Sequence, residues 1–128
     1  MITVVSALIK KDNKYLIGKR LTGYEPLIGK WEFPGGKVEK DETDEEALER
    51  ELYEEFEMNI KATDYVTNSL YEYPNKLIDL KLYKCEYISG QFKLHDHSEY
   101  KWVTKEELLN YDLAPADIPL AEFVNKYL

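Results

Sequence analysis

Gly36-Lys37-Val38-Glu39-Lys40-Asp41-Glu42-Thr43-Asp44-Glu45-Glu46-Ala47-Leu48-Glu49-Arg50-Glu51-Leu52-Tyr53-Glu54-Glu55-Phe56-Glu57-Met58 is the stretch on which the fold of this chain turns. From Glu39 to Glu57 it holds eleven Asp or Glu against Lys40 and Arg50, nine net negative charges in nineteen residues. The whole chain carries −8, so the acidity is local and asks for a local explanation. The stretch reads as a loop running into a helix over about Thr43 to Met58. Thr43 with Glu46 three residues on fits a capping box, and Asp44 and Glu45 suit the positive end of the helix dipole. Leu48, Leu52 and Phe56 recur at i, i+4 and i+8 and make one apolar stripe. Glu51 and Glu55 lie four apart, and Glu54 falls one turn after Glu51, beside both. Like charges so spaced destabilise a helix by about 0.2–0.5 kcal/mol per pair. Arg50, four before Glu54, relieves only part of that. A divalent cation relieves all of it, and hard cations such as Mg²⁺ take carboxylate oxygens. A Glu-rich helix without context is ordinarily a solvated acidic face, so the neighbouring residues decide between the two readings.

Trp31-Glu32-Phe33-Pro34-Gly35-Gly36 runs directly into the acidic segment. Gly36, Glu42, Arg50, Glu51, Leu52, Glu54 and Glu55 then reproduce a spacing that resembles the Nudix signature, G-x5-E-x7-R-E-U-x-E-E-x-G-U. Every charged position matches. One position departs: Glu57 stands where the signature has a glycine, which ends the helix with a left-handed residue. A residue other than Gly predicts a helix that ends differently or runs slightly longer. The resemblance implies an α+β architecture, the α/β/α sandwich with a mixed β-sheet between helices, over residues 1–128 as a single domain.

Composition agrees with a globular, soluble domain: 44% hydrophobic and 33% charged residues. No run approaches a membrane span, and the apolar Met1 to Ile9 lacks the basic start and cleavage site of a signal peptide. Cys85 is the single cysteine, which excludes an internal disulfide or a thiolate cluster and fits a cytoplasmic home. It reads as a buried small hydrophobe. Net acidity argues against nucleic-acid polymers and membrane surfaces as partners. A small polyanion still binds if a cation bridges it to the carboxylates.

Along the chain, Ile2 to Ile9 reads as a buried strand and Tyr15 to Arg20 as its hairpin return. Gly23 to Gly29 is a loop, and Pro34-Gly35-Gly36 a turn or a close approach to ligand. Thr63 to Tyr73 and Leu77 to Tyr87 are strands, the latter apolar on both faces and therefore central. Ser89-Gly90 is a turn, Phe92 to Leu94 a short strand and Tyr100 to Val103 another. Thr104 with Glu107 opens a short helix to about Asn110. Asp117 is read as the N-cap of a last helix over Ile118 to Tyr127, with Leu120, Phe123, Val124 and Tyr127 as its stripe.

Arg20, the Trp31-to-Lys37 run, Tyr73-Pro74-Asn75-Lys76 and the tail Leu113-Ala114-Pro115-Ala116-Asp117 resemble the MutT-type branch of the Nudix family. Leu94-His95-Asp96-His97 before Trp102, with that tail, resembles its CTP pyrophosphohydrolase and 8-oxo-dGTP diphosphatase members. The resemblance implies Mg²⁺-dependent hydrolysis of a modified or pyrimidine nucleoside triphosphate to the monophosphate and pyrophosphate, with Mn²⁺ as a substitute. It implies Glu51, Glu54, Glu55 and the Gly36 carbonyl as metal ligands, one glutamate also orienting or deprotonating water. Arg50 holds a carboxylate in place and Glu42 supports the loop. A further ligand comes from a distant loop: Asp96, with Glu99 as its neighbour in contention. His95 and His97 are either proton acceptors or surface residues.

Recognition of a base needs an aromatic wall and a few polar groups, for which Phe33, Tyr73 and Asp117 are the candidates. Arg20, Lys37 and Lys76 are by that resemblance the candidate phosphate contacts, while Trp31 and Trp102 are expected in the core or the wall. The oligomer is expected to be a monomer or homodimer. Two other activities fit the same residues: hydrolysis of a nucleoside diphosphate linked to another group, such as ADP-ribose, and a non-catalytic nucleotide-sensing module. A complete Glu51/Glu54/Glu55 set argues against the last.

Overall fold

A computed structural model describes all 128 residues. Strand β1 (Ile2–Lys11) is the spine of the molecule. It pairs in parallel with β6 (Lys76–Gly90), from Ile2 opposite Ile78 to Ile9 opposite Cys85. On its other edge Val4, Val5 and Ser6 pair antiparallel with β4 (Gly35–Lys37). Beyond β6 lies β5 (Met58–Tyr73), antiparallel. The far end of β1 turns through Asp12 and Asn13, both left-handed, into β2 (Lys14–Arg20). Strand β2 carries β3 (Trp31–Glu32) on one edge and β7 (His97–Val103) on the other, both antiparallel. The sheet is thus mixed, as expected.

Alternation along β1 feeds two cores. Val5, Ala7 and Ile9 point to one face and meet Ala47, Leu48, Leu52 and Phe56 of α1 (Asp44–Phe56). Leu8 points to the other and joins Ile17, Leu80 and Leu82 against Leu120, Ala121 and Val124 of α3 (Ile118–Tyr127). One helix on each face gives the α/β/α sandwich. The short α2 (Lys105–Leu108) precedes α3. No helix is long and apolar enough to cross a membrane. The energetics of α1 are set by its stripe. Leu48, Leu52 and Phe56 are fully buried, each contributing about 1.5–3 kcal/mol.

Both capping boxes form, Thr43 with Glu46 and Thr104 with Glu107. Several local readings need correction. Pro34-Gly35-Gly36 is not a free turn, because Gly35 and Gly36 are paired into β4. Strand β5 starts at Met58 rather than Thr63, and its inward residues Met58, Ile60 and Ala62 line the α1 core. Ser89 and Gly90 end β6 rather than forming a turn, and Phe92 to Leu94 is irregular. Helix α2 stops at Leu108, short of Asn110. In α3 the buried residues are Leu120, Ala121 and Val124, whereas Phe123 is half-buried and Tyr127 exposed. Asp117 precedes α3 but makes no side-chain cap, since its carboxylate is used elsewhere. Cys85 is buried, and burial pushes its thiol up to about 12.

Candidate active site

The capping box sets the start of α1, and the stripe sets its rotation, so Glu51 and Glu55 face β4 and the sheet's end. Gly36 lies against the Glu51 carboxyl group, and a Cβ there would overlap it. A glycine is therefore required for the helix carboxylate to approach the β4 backbone. Arg50 sits among the remaining acids. Its Nε and Nη2 donate to both oxygens of Glu42 (2.6 and 3.0 Å), Nη1 to Glu51 (2.9 Å) and Glu54 (3.2 Å), and Nη2 also to the Lys37 carbonyl (3.1 Å). Arg50 holds the Glu42 carboxyl down at about 2. It therefore ties the loop and the helix together, with Glu42 in a supporting position.

Glu55 is only 6% exposed, and its Oε1 has no hydrogen-bond partner. Burial, then the carboxylates of Glu32, Glu51 and Asp96, push its pKa well above the ordinary range. Burial raises Glu51 too, with Arg50 opposing. Negative charge is thus crowded where little water reaches, a place that calls for a cation. The oxygens do not close a ready-made cage of three or more ligands, and Glu54 is exposed and paired with Arg50. The donor set is nonetheless all oxygen and carries an orphaned buried carboxylate atom, which suits a hard divalent cation.

One cavity of about 510 Å³ gathers most of the candidates. Gly36, Glu51, Glu55 and Asp96 line it together with Arg20, Lys37, Lys76, Phe33, Tyr73 and Asp117. Glu54 and Arg50 are outside its lining, Glu54 being exposed to solvent. Glu99 is excluded as well: it pairs with Lys19 on the outer side of the β2–β7 ladder (3.6 Å). Phe33 and Tyr73 are both buried, and Tyr24 meets Tyr73 edge-on at 6.0 Å. Asp117 is 5% exposed, and its Oδ2 accepts from the Phe33 backbone N–H (2.9 Å). Burial, then the charge of Glu32, raises its pKa well above the usual value. Trp31 is core, packed edge-on against Tyr111 at 5.3 Å, and Trp102 is half-buried against Phe92.

The residue that sequence reasoning missed is Glu32. It is buried and lines the cavity. Its Oε1 accepts from Arg20 Nε (3.1 Å) and Nη2 (2.8 Å), and its Oε2 meets His97 Nε2 (3.0 Å), which must carry the proton toward a carboxylate. Arg20, a candidate phosphate contact, is paired with Glu32. His97 is neither exposed nor a free proton acceptor. It is 2% exposed, stacked on Phe56 at 5.1 Å, and slotted against Gly18, where a Cβ would come within 2.6 Å of its ring. The available signal was register: Glu32 opposes Gly18 and Arg20 opposes His97 across β3, β2 and β7. His95 is on the surface, 2.7 Å from Glu57. Glu57 resolves the signature's departure, because it takes the left-handed conformation itself (φ 53°, ψ 39°) and ends α1 after Phe56.

A carboxylate-crowded pocket between a Gly-Gly strand and a capped acidic helix, on an α/β/α sandwich, defines a Nudix hydrolase. The chain matches the NUDIX domain over residues 1–125 and belongs to that family. It is 41% identical over 122 residues to the CTP pyrophosphohydrolase of Escherichia coli, spanning 95% of this chain and 90% of that protein. The nucleoside triphosphatase NudI of Escherichia coli is 32% identical over 124 residues, covering 87% of each. Among solved structures, the MutT protein from Methanosarcina mazei Go1 superimposes with a TM-score of 0.84 at 30% identity, covering 98% of this chain and 91% of that one.

Proposed function

We propose that this single-domain Nudix hydrolase cleaves a modified or pyrimidine nucleoside triphosphate to the monophosphate and pyrophosphate in the cytoplasm, with Mg²⁺ as its cofactor and Mn²⁺ as a substitute. The observation that carries the reading is the polarity of one cavity. Glu51, Glu55 and Asp96 crowd one part of it, Phe33, Tyr73 and Asp117 line another, and Arg20, Lys37 and Lys76 share its walls.

Each part has a stated task. Glu51, Glu54, Glu55, Asp96 and the Gly36 carbonyl would hold the metal. Bound there, Mg²⁺ supplies charge neutralisation and polarises a phosphoryl oxygen. Arg50 keeps Glu51 and the Lys37–Glu42 loop in place through its forked donors. One of the α1 glutamates orients or deprotonates the attacking water. Lys37 and Lys76 meet phosphate oxygens, and Arg20 does so while its position is fixed by Glu32. Phe33 and Tyr73 wall the base. Asp117, with one oxygen committed to the Phe33 N–H, turns its other to the base edge, where a raised pKa lets it donate as well as accept. Phosphoryl chemistry asks mainly for such positioning and neutralisation.

Incubation with Mg²⁺ and a panel of CTP, 5-methyl-dCTP, 8-oxo-dGTP and 2-hydroxy-dATP, with pyrophosphate as the readout, tests the proposal. Release from at least one is expected; no release from any triphosphate overturns it. ADP-ribose in the same panel separates the alternative substrate class, since it yields two monophosphates and no pyrophosphate.

A further inference from the structure

We propose that Glu57 and His95 are positioning residues whose side-chain pair clasps the segment bearing Asp96 onto the C-terminal end of α1. The inference rests on the reading of Asp96 as a metal ligand.

A helix leaves its last carbonyls without intrahelical partners. Here the segment after β6 takes up three of the carbonyls at this end. Gln91 N–H donates to the Glu57 carbonyl (3.2 Å), Lys93 N–H to Phe56 (3.1 Å) and His95 N–H to Glu55 (3.2 Å). Every second residue of the segment is thereby stitched to the helix end, and the last stitch falls on Glu55, whose side chain lies in the cavity. Asp96 follows at once, and its own carbonyl accepts from Leu21 N–H (3.0 Å). The segment has no strand partner of its own: these bonds hold the chain before Asp96, and the buried His97 at the start of β7 anchors the chain after it.

Glu57 is an unfavourable choice on two counts. Its left-handed backbone favours glycine. Its carboxylate also lies at the negative end of the helix dipole. Strain of this kind persists only where the surroundings over-determine it. The surroundings are His95, whose Nε2 lies 2.7 Å from Glu57 Oε2, and Lys93, whose Nζ lies 4.0 Å from Oε1. Both belong to the stitched segment. The side chain at this position thus gives up helix-end stability and gains a hold on the residue next to Asp96. Glycine in its place would satisfy the backbone and release the clasp, so fold stability and metal binding should move in opposite directions.

The test compares full-length wild type with Glu57→Gly, Glu57→Gln, His95→Ala, the Glu57→Gly/His95→Ala pair and Asp96→Asn. Four readouts are taken: Tm in EDTA, amide hydrogen exchange, Mn²⁺ titration without nucleotide, and kcat and KM at several Mg²⁺ concentrations. Glu57→Gly is expected to raise Tm by about 2–4 °C. In the same variant the Gln91, Lys93 and His95 amides exchange about tenfold faster. Its Mn²⁺ dissociation constant rises about tenfold. Its kcat falls at low Mg²⁺ and recovers at high Mg²⁺, with KM for the nucleotide unchanged. His95→Ala reproduces the metal effect without the gain in Tm, and the double variant binds Mn²⁺ no more weakly than Glu57→Gly. Glu57→Gln keeps a hydrogen bond to His95 and retains wild-type metal affinity. Unchanged Mn²⁺ affinity in Asp96→Asn overturns the ligand reading beneath the inference. Weakened binding there, with wild-type exchange and Mn²⁺ affinity in Glu57→Gly, overturns the clasp alone.

Discussion

Replacing Glu32 by alanine removes the acceptor for three hydrogen bonds of 2.8 to 3.1 Å, two from Arg20 and one from His97. His97 is slotted against Gly18 and stacked on Phe56, so its ring is held in place and cannot turn to another partner. Arg20 is better placed, because its side chain is 32% exposed and can turn into the cavity. Breaking a buried ion pair from one side costs about 3–5 kcal/mol, and the partial release of Arg20 puts this case at the lower end, about 3 kcal/mol. For a chain of this size that lowers Tm by roughly 10 °C. Glu32→Gln is milder. Its carbonyl still accepts from Arg20, but its amide faces His97, which must shift its proton to a buried Nδ1 without a partner; the cost is about 1 kcal/mol. Urea unfolding followed by circular dichroism, with a thermal scan alongside, measures both. A Glu32→Ala protein within about 0.5 kcal/mol of wild type would refute the reasoning, since no buried network could be so cheaply opened.

Other consequences can be checked in the same preparations. Asp117 has a folded-state pKa raised by burial, so the folded protein binds its proton more tightly than the unfolded chain does. Stability in EDTA should therefore fall as pH rises from the ordinary carboxylate range toward the raised value, and Asp117→Asn should flatten that slope while keeping the Phe33 N–H bond. An Asn variant with the wild-type slope would show that Asp117 is not the group responsible. Gly36→Ala should displace the Glu51 carboxyl and cut turnover at least about a hundredfold, with far-ultraviolet circular dichroism unchanged. Tyr73→Ala should raise KM for the nucleotide about tenfold with little change in kcat, having lost a wall of the base pocket rather than a reacting group; an unchanged KM would remove Tyr73 from the binding site.

Much of this was legible because the signals were local. A capping box, a stripe at i, i+4, i+8 and carboxylates spaced to meet are all written within one helix, and Thr43 to Phe56 folds as its sequence dictates. Strand β1 was equally clear, since a nearly continuous apolar run from Ile2 to Ile9, broken only at Thr3 and Ser6, belongs between two packed faces. The failures came where one residue's environment depends on strands distant in sequence. A lone Glu32 in a short strand reads as solvent-facing until register sets Arg20 and His97 beside it. Asp117 carries the residue type of a helix cap, yet Phe33, 84 positions away in the chain, claims its oxygen. Met58 to Ala62 was absorbed into the helix and the following loop because nothing at Glu57 spelled a stop. The stop is a left-handed glutamate, whose cost is visible only beside its partners in the neighbouring segment.

In the function proposed for this chain, Glu51, Glu55 and Asp96 gather a divalent cation at one end of the cavity. Mn²⁺ titration of the metal-free protein, followed by electron paramagnetic resonance of the free ion, tests it without substrate or turnover. Saturable binding in wild type, weakened about a hundredfold in Glu55→Gln at unchanged Tm, is the predicted result. Equal Mn²⁺ binding by the two proteins would contradict it.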